Sequence, residues 1–425
     1  MKAVLLLALK SAWARRLTLG ITLCAIALAS ALLLAVERVR GDARQSFTQS
    51  VSGVDLVVGP RSGGVQLMLH AVFHSGAATH NMRWDSYAAL ATHPAVSWAV
   101  PLSLGDSHRG FPVLGTAAAY FTHFRHGAGQ PLVFAAGRPF AGDVDAVFEA
   151  VLGSAVAAEL GYRVGERITL AHGLGAAAAL AEHDDKPFAV VGVLAPTGTP
   201  VDRAVHVSLE AITALHLDWA GGAPLPGLAI PAEHVRKFDL APREITAMLI
   251  GLKNRADVFR LQRHINGYRG EALLAVLPGV ALDELWQTIA TVERTLLAMS
   301  ALVVLVGLAG LMATMLAGLN ERRRELAILR ALGAGPGALF LMLTAEGLLV
   351  TSLGVLLGCA LLAAGIWLSA PLLQAQFGIV LQWRMFAPNE ILLLLSILAT
   401  GLVASLVPGW RAWRMSLADG LTPRN

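Results

Sequence analysis

The chain has 425 residues, 55% of them hydrophobic and 15% charged, with a mean hydropathy of +0.61; this excludes an ordinary water-soluble enzyme of that size and points to a membrane protein. A net charge of +4 and a pI near 9.3 do not indicate a nucleic-acid partner, because the basic residues cluster beside apolar runs instead of covering one polar face. Both cysteines, Cys24 and Cys359, fall inside apolar runs, so the polar part of the chain has neither a disulfide framework nor a thiolate metal site.

Residues 1–16 read as a short amphipathic cytoplasmic helix, with Trp13 at the depth of the lipid interface. The run at 17–36 can cross a hydrocarbon core of about 30 Å. A positive start before an apolar stretch also describes a cleavable signal peptide. This run is longer than a usual signal core, and ERVR follows where a small-residue cleavage site belongs, so it reads as a retained anchor. The polar, helix-compatible stretch at 37–50 extends it as a stalk.

About 250 residues of ordinary polar content follow, enough for a packed domain. VDLVVGPRSGG from Val51 reads as strand and turn, 65–95 as mostly helical, and 95–135 as strands and turns. VLGSAVAAEL at 151–160 has helical spacing, GYRVGERITLAHG reads as turn and strand, and FAVVGVLAP as another strand. The Ala-rich 173–186 is read as a hairpin excursion whose tip, HDDK, is solvated. A mixed α/β domain results. After Pro278, the positions Leu282, Leu285, Trp286, Ile289 and Val292 keep helical spacing without a breaker, so the second span, 295–319, continues an external stalk helix.

A third span is expected at 338–368, a short loop at 369–389, a fourth span at 390–410 and a tail at 411–425. Gly347, Gly354, Gly358 and Gly365 let another backbone approach the third span. Glu346 is an acid near the cytoplasmic end of that run, free to reach the interface or to pair with a basic residue. Lys2, Lys10, Arg15 and Arg16 precede the first span, Arg322, Arg323, Arg324 and Arg330 join the second to the third, and Arg411, Arg414 and Arg424 follow the fourth. By the positive-inside rule these segments are cytoplasmic, and the domain at 37–294 and the loop at 369–389 lie outside.

The segment at 320–337 carries NERRRELAILRALGA. Three adjacent arginines cannot lie in hydrocarbon, where each would cost roughly 2.5–3.5 kcal/mol, so the segment must lie on the membrane surface. Leu326, Ile328 and Leu329 form an apolar side on a short amphipathic helix, and ALGAGPG breaks it. No G-x-x-x-x-G-K-[ST] loop occurs; GAGPGAL lacks the lysine and the hydroxyl that would hold phosphate and magnesium.

All 13 histidines lie between His70 and His264, within the expected outer domain. His70 and His74 at four-residue spacing, with His80 beyond, form a candidate zinc site, to which FTHFRHG adds His123 and His126 nearby. No catalytic constellation emerges: Ser154 lies outside any G-x-S-x-G elbow, and His172 has no identifiable acid partner in the sequence.

ERRRELAILRALGA closely resembles the cytoplasmic motif of the MacB/FtsX/LolC-LolE-like permeases of ABC transporters. The resemblance extends to SAWARRLTL, GRPF, VLGSAVAAELGYRVGERITL, FAVVGVLAPTG, AEGLLVTSLGVLLG and VPGWRAWRMSLADGL, the last departing at Gly409–Trp410 and Ala418–Asp419. It implies four transmembrane helices in a bacterial inner membrane with a mixed α/β domain of the MacB periplasmic core type on the periplasmic side. It further implies a non-catalytic permease paired with a second permease chain and with ATPase subunits that bind ATP and magnesium. The coupling role would fall on Glu321, Arg322, Arg324, Glu325, Leu326, Ile328, Arg330, Leu332 and Gly333. Export or extraction of a substrate is the favoured activity; the alternatives are an FtsX-like scaffold that switches a periplasmic enzyme, and zinc-linked transport.

Overall fold

The structure is a computed structural model that describes residues 16–76, 80–141, 146–173, 183–220, 223–224, 230–377 and 384–414. The expected cytoplasmic helix at 1–16, apart from Arg16, lies outside the described residues, as do the tail beyond 414 and the hairpin centre at 174–182. The chain divides into a helical unit (1–42, 290–371 and 381–425) and an α/β unit (43–289 and 372–380).

The long helices are α1 (Arg16–Gln49), α2 (Pro278–Glu321), the short α3 (Arg323–Ala331), α4 (Pro336–Phe377) and α5 (Pro388–Arg414). All but α3 contain a segment long and apolar enough to cross a membrane. Proline opens α2, α4 and α5, where the missing N–H is one the first turn leaves unpaired anyway. The two expected stalks are continuous helix: α1 carries on through 37–49, and α2 is one helix of 44 residues. Helix α4 continues to Phe377, into the stretch expected as a loop, since SAPLLQAQF keeps its apolar content until Gly378.

Ile26, Leu33, Val304, Leu311, Met315, Leu343, Val350 and Ile397 form the buried core of the helical unit. Leu302, Val306, Leu349, Leu356, Trp367 and Leu392 are exposed, a surface suited to lipid and not to water. Small residues set the helix separations. A Cβ on Gly358 would stand 2.8 Å from the Ala27 carbonyl oxygen and 2.9 Å from Ser30 Cβ, and one on Gly354 would stand 2.7 Å from Ile26. On the other side of α4, Gly347 faces Ser405, and Gly401 of α5 faces Thr351. Gly365 has nothing within 4 Å, so three of the four glycines singled out in the sequence mediate close approach.

Gly358→Ala is therefore expected to push α1 from α4 and to destabilise the helical unit by about 1–3 kcal/mol, as overpacking does. Gly365→Ala, with open space and better helix propensity, should be neutral or stabilising by up to about 1 kcal/mol. Unfolding midpoints of the two variants in detergent check the contrast; equal midpoints would contradict it.

The main sheet of the α/β unit has eleven strands among the described residues. They are β1 (Leu56–Pro60), β2 (Val96–His108), β3 (Phe111–Thr116), β4 (Phe134–Gly137), β5 (Glu149–Leu152) and β6 (Arg167–Ile168). Then come β7 (Ala171–His172), β8 (Phe188–Leu194), β9 (Val205–Ser208), β10 (Ala247–Leu252) and β11 (Leu273–Val276). Their order is β11-β1-β10-β2-β3-β9-β5-β8-β4, with β7 beside β2 and β6 beside β8. Pairs β3–β9 and β5–β8 are parallel and the remainder antiparallel. Val57, Leu102 and Val151 enter one buried cluster, while Leu56, Val58, Met248 and Ile250 enter another; the alternation buries both faces, as strand geometry requires. In VLGSAVAAEL the first residues end β5, and only Ser154–Leu160 is helix.

At the end of β4, Gly137 has φ +74° and a Cβ there would meet the Val191 carbonyl, so only glycine fits the turn. The Arg138 guanidinium then grips Glu149 at 2.9 and 2.5 Å. These donated hydrogen bonds are the largest influence on Glu149 and hold its carboxyl below the ordinary 4.5, against partial burial. A depressed carboxyl pKa contributes stability that is fully present above the unfolded value and lost as pH falls through the folded one. The difference in thermal midpoint between the native chain and Glu149→Gln should thus be constant above about pH 5 and shrink below pH 4.5, which a pH series of melting curves reads directly.

Candidate functional site

Helix α3 is built to present one face and anchor the other. Its anchor starts at Arg322, which is buried and donates from Nη1 to Glu346 Oε2 at 2.9 Å. Glu346, left open in the sequence between the interface and a basic partner, is thus paired. Leu326 and Ala327 are buried, Leu326 in one cluster with Leu319, Leu339 and Leu343. On the opposite side Arg324, Glu325 and Ile328 are exposed at three- and four-residue steps along one stripe of the helix, flanked by exposed Glu321 at the end of α2 and exposed Leu332 at the C-cap. Ile328 is 58% and Leu332 80% exposed, so the apolar side expected from Leu326, Ile328 and Leu329 does not exist as one surface. Leu326 faces inward, Leu329 is half-buried and Ile328 faces outward.

Gly333 plays a different part from the others. With φ +97°, it donates its N–H to the Arg330 carbonyl at 3.0 Å, while Ala334 N–H reaches Leu329 O at 3.0 Å. This pair of bonds around a left-handed residue is a Schellman stop, so Gly333 terminates the helix. Arg330 is half-buried on the last turn, where a cation favours the helix C-terminus.

The histidines divide differently from their spacing. The helix Gly64–Ala71 ends before His74, which has φ +52°, and the Ser75 N–H folds back to Leu69 O. Phe73 packs on Phe47 with ring centroids 4.5 Å apart, so His74 lies past the end of the helix that carries His70 and next to a packed aromatic pair. His70 Nδ1 contacts Gly76 O at 3.2 Å, and His80 is exposed beyond a stretch outside the described residues. His123 is stacked on Trp98.

A different group has its ligand-type atoms within 4.8 Å of one another: Asp106, His172 and His216. Strand pairing sets it up, because β7 lies antiparallel to β2 with His172 directly opposite Asp106. His216 is the C-cap of the helix Leu209–Leu215. The acid partner that the sequence did not offer His172 is Asp106, at 3.0 Å. Burial is the largest influence on Asp106 and would raise its pKa, but the hydrogen bonds and charges of both imidazoles bring it to about 2. For His216, burial pulls downward and the Asp106 carboxylate prevails, so its pKa is raised.

Beside this group the HDDK segment is not a solvated tip. Lys186 is fully buried, with Nζ 2.9 and 3.0 Å from the Asp218 carboxylate oxygens, and His183 is buried against Trp219 with ring centroids 4.5 Å apart. Only the intervening Asp184 and Asp185 are exposed. A lysine can be sunk this way because a carboxylate meets it there.

Two family profiles cover most of the chain. The MacB-like periplasmic core domain matches residues 17–267, and the FtsX-like permease C-terminal region matches 297–417. The macrolide export ATP-binding/permease protein MacB of Azoarcus sp. (strain BH72) is 27% identical over 232 residues, 54% of this chain and 32% of that protein. The chain thus spans about a third of that relative's length. Among solved structures, the periplasmic region of MacB from Actinobacillus actinomycetemcomitans aligns at 14% identity and a TM-score of 0.33, covering 57% of this chain and 94% of its own. The extracellular domain of the noncanonic ABC-type transporter YknZ from Gram-positive bacteria aligns at 12% identity and a TM-score of 0.28, covering 52% and 98%. With the core-domain profile alone matching more than half of its length, the chain belongs to the MacB/FtsX-like family of ABC transporter permeases.

Proposed function

We propose that this chain is the inner-membrane permease subunit of an ABC system in which a partner ATPase binds ATP and magnesium and docks on α3. The exposed stripe of Arg324, Glu325 and Ile328, with Glu321 and Leu332 flanking it, carries this reading. It combines two apolar anchors with charges of both signs, a composition suited to a protein partner. The buried Arg322–Glu346 pair and Leu326 tie the same helix to α4 and the core, so a push on the stripe is delivered to the spanning helices.

Outward transmission is assigned to α2, whose 44 residues run unbroken from Pro278 to Glu321. A helix without an internal breaker tilts or shifts as a unit. Two permease chains and two ATPase chains would form the assembly, driving export or extraction of a substrate by movement of the α/β domain. The relative named for macrolide export favours outward transport over pure signalling.

Affinity capture of the full chain from its native membranes in mild detergent tests this reading. A co-purifying chain bearing a G-x-x-x-x-G-K-[ST] loop, with ATP turnover that depends on the permease, is the expected result. Capture of the permease with no nucleotide-binding chain, or turnover indifferent to its presence, would overturn it.

A further inference from the structure

The junction of β2, β7 and the helix Leu209–Leu215 holds more than a structural hydrogen bond. Asp106 Oδ1 and His172 Nδ1 are 3.0 Å apart, His172 Nδ1 and His216 Nε2 are 3.0 Å apart, and His216 Nε2 and Asp106 Oδ1 are 3.4 Å apart. Adjacent ligands on a tetrahedral zinc ion with bonds of about 2.0–2.1 Å stand about 3.3 Å from each other. A point at that bond length from all three atoms lies about 1 Å off their plane, so the three atoms are spaced to share one ion. We propose that Asp106, His172 and His216 bind a divalent transition-metal cation of the zinc class.

Surrounding chemistry supports the assignment. His216 Nδ1 lies 2.8 Å from Ile212 O, a contact that places a proton on Nδ1 and leaves Nε2, beside the other two atoms, as the nitrogen that would bind the ion. Such an outer hydrogen bond fixes the tautomer and ring angle of a metal-binding histidine. The Gly173 N–H to Gly105 O bond at 2.9 Å holds the strand ends that carry the other two ligands. Trp219 packs within 6.0 Å of the His172, His183 and His216 rings, giving an apolar wall. Access comes from a cleft of about 600 Å³ lined by Asp106, His172 and His216 together with Trp219, Arg243 and Glu244. Three protein ligands at such a cleft leave the fourth tetrahedral position to water or a cargo atom.

His183 stands beside this set, its ring centroid 5.4 Å from that of His216. It is buried, and its Nε2 has no hydrogen-bond partner among the described residues. It is the nearest additional imidazole should the ion take a fourth protein ligand. Two imidazoles with one carboxylate select against calcium and magnesium, which require oxygen cages.

Zinc titration of the full chain in detergent, in competition with a chromogenic chelator, tests the site. About one zinc per chain is expected, with affinity reduced at least a hundred-fold in His172→Ala/His216→Ala and unchanged in His70→Ala/His74→Ala. Asp106→Asn, which keeps the side chain's volume, should lose at least ten-fold while its melting curve reports an intact fold. X-ray absorption of the zinc-loaded native chain should show imidazole scattering from two ligands. Absence of stoichiometric binding by the native chain overturns the site. So does native-like affinity in a folded Asp106→Asn or His172→Ala/His216→Ala chain, or loss of binding on His70→Ala/His74→Ala alone.

Discussion

Replacing Ile328 and Leu332 together with alanine is expected to uncouple the permease from the ATPase proposed to dock on α3, while leaving the permease folded. Both side chains are mostly exposed, and substitution of exposed residues usually changes stability by no more than about 0.5 kcal/mol. Alanine at position 328 also raises helix propensity and Leu332 lies at the C-cap outside the helix, so loss of α3 is not a competing explanation. At a partner interface, truncating a side chain that acts as an anchor costs about 2 kcal/mol, and such losses do not simply add. A combined loss of about 2–4 kcal/mol weakens association roughly thirty- to a thousand-fold. Permease-stimulated ATP turnover in reconstituted bilayers and co-purification of the ATPase measure the two consequences. Leu326→Ala serves as the contrast: that side chain is buried in the helical core, so its loss should cost about 2–5 kcal/mol of stability. Full coupling in Ile328→Ala/Leu332→Ala would remove α3 as the docking element.

What the sequence made legible follows from the range of the interactions involved. Spanning helices are encoded in contiguous apolar length, so all four runs and the continuity of both stalks could be read locally. Close helix packing at Gly347, Gly354 and Gly358 could be read because only a missing side chain permits it. Facing was less legible on α3: a nine-residue helix has two candidate apolar sides, and which one is buried depends on Arg322 finding Glu346 across 24 residues of chain. The Asp106–His172–His216 group was invisible, since its members are separated by 66 and 44 positions. Only the β2–β7 register and the end of a helix bring them together. Local spacing pointed to His70 and His74, but the helix that carries His70 ends at Ala71 and His74 takes a left-handed φ of +52°, which a helical count does not anticipate. The buried Lys186 was missed for the same reason, its partner Asp218 lying 32 positions away.

Glu390→Ala should be among the most damaging single changes in the helical unit. Glu390 is buried at the start of α5 and accepts two hydrogen bonds from Arg38 Nη1, at 3.1 and 2.9 Å, and one from the Ala387 N–H at 2.8 Å. Arg38 is itself buried on α1, with Nη2 donating to the Arg384 carbonyl at 2.7 Å and Nε 3.7 Å from Asp42. Arg384 completes the set by pairing with Asp42 at 3.0 Å. Truncating Glu390 strips Arg38 of its bidentate partner in a place water does not reach, which costs about 3–5 kcal/mol. Removing both charges is a different experiment, because the desolvation that the pair suffered disappears with it. Arg38→Met/Glu390→Leu keeps approximate volume and leaves Asp42 with Arg384, so it should be closer to the native chain than Glu390→Ala is. Unfolding midpoints in detergent give the order. If the double variant proves the less stable of the two, the ion pair itself, and not the avoidance of a stranded guanidinium, is what fastens α1 to α5.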